Sequence, residues 1–120
     1  MPKIHLGSIV LVACVALAGG ACGSSAKPDT TVAVTGTDTA CTAATTSLTA
    51  GRIRFAMTNN AKLTNELYVL GASDKVIKEV EDIIPGGTAH IDVTLKAGTY
   101  TLNCKPGQTG KGFRQPITVS

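Results

Sequence analysis

Four groups of side chains in this sequence could do chemistry. The first is a pair of cysteines, Cys41 and Cys104. In an exported domain two such cysteines form a disulfide, or as free thiolates they offer soft ligands suited to Cu(I). A third option is two unrelated thiols, and spacing alone leaves all three open. A bridge between them would close a loop of 63 residues, for which chain entropy gives about 4 kcal/mol. The second group is the acidic run Lys78-Glu79-Val80-Glu81-Asp82. Its carboxylates are either hard-cation donors or a solvated face. The third is His90, which shares the chain with only one other imidazole, His5. The fourth is the loop GQTGKG at 107–112. Its lysine lacks the following Ser or Thr of a phosphate-binding loop. A Ser-His-Asp or Cys-His relay would need His90 as its base, and alternation turns that residue toward solvent, so no enzyme is predicted.

These residues must be held by strands. Arg52-Ile53-Arg54-Phe55-Ala56-Met57-Thr58 alternates with a period of two, predicting Ile53, Phe55 and Met57 inside and both arginines in water. Thr88 to Leu95 repeats the pattern, with Ala89, Ile91, Val93 and Leu95 on the buried side. Thr99 to Cys104 does so again and puts Tyr100, Leu102 and Cys104 on one face. Ala50-Gly51, Asn59-Asn60, Pro85-Gly86-Gly87, Ala97-Gly98 and Pro106-Gly107 supply the turns. Short strands with regular turns predict an all-β sandwich of seven or eight strands. Lys75 to Asp82 fits either a helical turn or an irregular edge strand. The net charge of +3 and 3% aromatic content give no basic, aromatic-laced surface for nucleic acid.

The N-terminus predicts export. Lys3, an apolar run from Ile9 to Ala18, and Gly19-Gly20-Ala21 before Cys22 have the layout of a secretory signal over residues 1–21. That run is too short to span a bilayer. Two routes follow: simple cleavage after Ala21, or the same cut with lipid attachment to the Cys22 thiol. Gly23-Ser24-Ser25 resembles the tether of a bacterial lipoprotein, and residues 22–31 read as a flexible link to one domain over 32–120. The lipid would hold the protein to the outer face of the cytoplasmic membrane, in the periplasm or at the cell surface.

The chain from Val32 to Val119 resembles the EfeO-type cupredoxin-like domain of exported bacterial iron-uptake proteins. The matching pieces, in order, are Cys41, Asn59-Asn60, Glu66 before an apolar strand, Glu79-Val80-Glu81, Ile84-Pro85-Gly86, Lys96-Ala97-Gly98-Thr99-Tyr100, and Cys104. The resemblance implies a Greek-key sandwich of the cupredoxin type. It also implies an iron or copper site at Cys41, Glu66 and Cys104, with Glu79 and Glu81 as acidic helpers, and a metal-uptake protein as partner. Within the wider cupredoxin superfamily, Cys104 takes the place of the copper cysteine. The other ligands are missing: Gly107 stands where Cys-x-x-His puts an imidazole, Gly112 near the place of the axial Met thioether, and Asn65 or Glu66 in place of the first histidine. The donor set therefore predicts a protein that is not a blue-copper electron carrier. Two functions from different classes remain. One is ion handling through Cys41, Glu66 and Cys104. The other is a metal-free interaction module closed by a Cys41–Cys104 disulfide.

Overall fold

The computed structural model describes residues 26–120 and has nine strands, and period-two alternation of apolar and polar residues builds the central ones. The nine are β1 (Thr30–Gly36), β2 (Cys41–Ala43), β3 (Ser47–Leu48), β4 (Gly51–Asn59), β5 (Asn65–Leu70), β6 (Val76–Ile83), β7 (Thr88–Leu95), β8 (Gly98–Cys104) and β9 (Phe113–Val119). One sheet has the order β2-β1-β4-β7 and the other β3-β9-β8-β5-β6. The two stack as a sandwich. Val32 and Val34 of β1, Ile53, Phe55 and Met57 of β4 and Ile91 of β7 face Leu67, Val69, Leu102 and Ile117 across the core. Phe55 is its largest fully buried side chain. The signal at 1–21, Cys22 and the first part of the tether lie outside the described residues. Among the described residues no helix is long and apolar enough to cross a membrane.

The expected all-β sandwich is present, with differences that have physical reasons. Nine strands replace seven or eight because β2 and β3, of three and two residues, are too short to show a period. Neither sheet is purely antiparallel, since β1 runs parallel to β4 and β3 parallel to β9. The segment between β1 and β4 supplies the crossover that a parallel pair requires. Lys75 to Asp82 resolves as strand: β6 pairs with β5 at the sheet edge, with register shifts between Asn65 and Leu67 and between Val69 and Leu70. Those shifts and near-complete exposure hid its period. The ordered structure also begins earlier than residue 32. Asp29 accepts from the Arg52 amide at 2.9 Å, its own amide donates to the Arg52 carbonyl at 2.7 Å, and Thr30 opens β1.

The arginines of β4 are on the outer face but lie along it, half-buried. Arg54 donates from Nε and a terminal nitrogen to the two oxygens of Asp92 at 2.7 and 2.8 Å, a bidentate clasp between registered residues of β4 and β7. This hydrogen bonding, opposed by desolvation and helped by charge, holds the Asp92 carboxyl down to about 2. The unfolded value is about 3.9. Because the folded value is the lower one, the contribution to stability is complete above about pH 4 and disappears as pH falls through about 2. Asp92→Asn is therefore expected to flatten that part of the acid limb in melting curves recorded from pH 5 to 2. At neutral pH the half-exposed pair contributes little.

Candidate functional site

Four connections meet at one end of the sandwich: residues 37–40, 60–64, 84–87 and 105–112. The chemistry-bearing residues divide between the interior at this end and the outer face of the five-stranded sheet. Inside, the Cys41 and Cys104 sulfurs are joined in a disulfide, with Cα atoms 5.4 Å apart. Both residues belong to the core. The sequence folds this way because Gly36 ends β1 opposite Cys41 and beside the Cys104 sulfur. A Cβ at Gly36 would crowd Met57 Cε and lie 3.0 Å from Asn65 Nδ2 and 3.6 Å from Cys104 Sγ, so a larger residue there would push the Met57 tip out of place.

Two asparagines dominate the same interior. Asn59 and Asn65 are fully buried. Asn59 Nδ2 donates to the carbonyls of Leu63 at 2.9 Å and Ile83 at 2.8 Å. Its Oδ1 accepts from the Ala61 amide at 2.9 Å and from Asn65 Nδ2 at 3.2 Å. Asn65 Oδ1 in turn accepts from the Glu66 amide at 2.9 Å. The Asn59 backbone adds bonds to Gly86 and Gly87. Side chain and backbone of this one residue thus pin two loops, and every polar atom the side chain buries is paired. The signal for this was in the sequence: Asn59 continues the inward alternation of Phe55 and Met57, and Asn65 precedes Leu67 by two.

The outer face carries the remaining predicted residues. Glu66 is almost buried, yet its carboxylate accepts a hydrogen bond from the Tyr68 hydroxyl two residues along, on the face opposite the disulfide. That bond to Glu66, with burial and negative charge behind it, pushes the Tyr68 phenol far up and keeps it protonated. Glu79 is the registered partner of Tyr68. Glu81 is raised in pKa by charge repulsion from Glu79 and then from Glu66. Lys105 Nζ lies 4.6 Å from the Tyr68 ring centroid, a cation–π contact. The structure therefore brings Cys41 and Cys104 together but leaves Glu66, Glu79 and Glu81 on the other side of the sheet. Among the described residues no three His, Cys, Asp or Glu side chains form a group that could hold a metal ion.

His90 is on the outer face of the four-stranded sheet, 53% exposed, and its Nε2 is 3.9 Å from Asp92. It is remote in register from Cys104, which belongs to the other sheet.

Comparison with known proteins places this arrangement. A family model described as a cupredoxin-like domain matches residues 7–113. The chain belongs to this cupredoxin-like family. No significant match to a curated protein was found. Among solved structures, reduced auracyanin from the photosynthetic bacterium Roseiflexus castenholzii is similar, with TM-score 0.60 and 17% identity over 78% of this chain and 99% of that one. A Cu-containing nitrite reductase from Thermus scotoductus has TM-score 0.56 and 15% identity, covering 76% of this chain and 27% of that one. Auracyanin A, a blue copper protein of Chloroflexus aurantiacus, has TM-score 0.50 and 20% identity over 75% and 98%. At these identities the likeness is one of fold. A blue-copper ion needs two imidazoles and a thiolate. In this cupredoxin-like domain the sulfur at 104 is committed to Cys41, the Asn65 amide is buried at the same end of the core, beside Gly36, and the one described imidazole lies on the other sheet's outer face. The residues present do not fit that ion.

Proposed function

We propose that this protein is an exported, non-catalytic interaction module, lipid-anchored through Cys22 after removal of residues 1–21. On this proposal its cupredoxin-like domain is sealed by the Cys41–Cys104 bridge and does not carry electrons through copper. The observation behind the proposal is the bridge itself: it consumes the thiolate that a copper site would need, in a core where Asn59 and Asn65 hold the loops. Those loops then present a fixed surface. Leu63 and Ile84 stand 60% and 65% exposed on the two connections that Asn59 ties together. On this proposal they are the contact points for another envelope protein. The EfeO-type resemblance suggests a metal-uptake protein as that partner.

A second role is favoured by the closeness of the two sulfurs. Reductive opening would leave adjacent thiols, a donor pair suited to Cu(I), so ion handling would be confined to the reduced state. A thiol count on purified, unreduced protein followed by titration with Cu(I), Cu(II) and Fe(III) separates the two. The expected result is no free thiol, no saturable uptake and no blue colour with Cu(II). Stoichiometric uptake by the unreduced protein would overturn the interaction-module proposal. Uptake that appears only after dithiol treatment, and is lost in Cys104→Ser, would establish the second role.

A further inference from the structure

A basin of about 560 Å³ opens on the outer face of the five-stranded sheet, away from the disulfide. Its floor is a row across three strands, because Tyr68 of β5 pairs with Asn103 of β8 and Asn103 with Arg114 of β9. Leu70 and Val76 make one wall apolar. Lys105, Lys111 and Arg114 line the rest, against the single carboxylate of Asp74. The volume falls within the range of small-molecule sites, and an apolar wall with a few converging polar groups is how such sites are built.

Two of the three cations are held in place. Arg114 donates to Asp74 at 2.5 Å, which leaves most of its guanidinium donors unused. Lys105 is seated over the Tyr68 ring. Lys111 is carried by a turn that only glycine permits. Gly112 has φ +70°, and a Cβ there would lie 2.4 Å from the Cys104 carbonyl and 2.7 Å from Asn103 Oδ1. Asn103, itself buried, donates to the Lys111 carbonyl at 3.2 Å and fixes the turn from below. Ordinary surface lysines lose side-chain entropy when they bind, whereas cations already positioned lose less.

We infer that this basin binds a small organic anion, its carboxylate or phosphate head among Lys105, Lys111 and Arg114 and its apolar body against Leu70 and Val76. The inference does not depend on the docking role. Phenyl phosphate is the probe for whole and inorganic phosphate for head alone, followed by amide chemical shifts of the purified protein. Phenyl phosphate should bind saturably, shifting Leu70, Asn103 and Lys111, and more tightly than inorganic phosphate. Lys111→Gln and Arg114→Gln should each weaken it about tenfold, the worth of one charge-assisted bond. Lys96→Gln, remote from the basin, should leave it unchanged. No saturable shift at millimolar probe, equal loss in the Lys96 variant, or equal affinity for inorganic phosphate would overturn the assignment.

Discussion

Cys41→Ala, Cys104→Ala and the double variant are each expected to unfold at a free energy about 4 kcal/mol below the parent protein. The bridge spans 63 residues, and cutting it returns that loop's freedom to the unfolded chain. For a domain of this size, such a loss lowers the melting temperature by about 20 °C. The three variants should be nearly equal, because either single change already breaks the same covalent link. Reduced parent protein should unfold with the double variant in urea, and the parent alone should respond to a dithiol. A small, additive pair of effects without dithiol sensitivity would mean that the two sulfurs act separately.

The core of this sandwich was legible because alternation in β4, β7 and β8 is regular. Ile53, Phe55, Met57, Ile91, Leu102 and Cys104 are all buried, and His90 is exposed. Period alone does not count strands of two or three residues, so β2 and β3 were invisible even though β2 carries Cys41 to its partner. Period also says nothing about pairing direction, which here includes one parallel pair in each sheet. Arg52 and Arg54 show a further gap. A polar residue on an outer face can still lie flat on neighbouring strands, as the Arg54 clasp on Asp92 does.

The candidate site was less legible than the fold. Position-by-position resemblance gathers Cys41, Glu66 and Cys104, but adjacent strand residues point to opposite faces. Asn65 turns into the core, and Glu66 turns out to Tyr68. A single step along β5 therefore separates carboxylate from sulfur. The cationic basin was equally hidden, because Lys105, Lys111 and Arg114 become neighbours of Leu70 and Val76 only through the β5–β8–β9 register.

The buried amide at Asn59 carries the second large expected effect. Asn59→Ala removes the partners of the Ile83 carbonyl and the Ala61 amide, both in buried bonds, and of the part-buried Leu63 carbonyl. Each buried orphan costs about 1–3 kcal/mol, so the variant should lose about 3–5 kcal/mol. The loss should be local as well as global, with faster amide exchange at Ala61 and at Gly86, whose amide bonds the Asn59 carbonyl. Asn59→Asp separates hydrogen bonding from packing, since it keeps the shape and the acceptor but loses the donor. At neutral pH its buried carboxylate would face two carbonyl oxygens and destabilise the fold severely. Its folded pKa would be raised, so the variant should regain stability as pH falls, when the protonated acid can donate to one carbonyl again. Urea unfolding of both variants at pH 7 and pH 4.5 reads this out. Asn59→Asp should recover strongly at the lower pH and Asn59→Ala should not, and equal behaviour of the two would reduce Asn59 to a space-filling role.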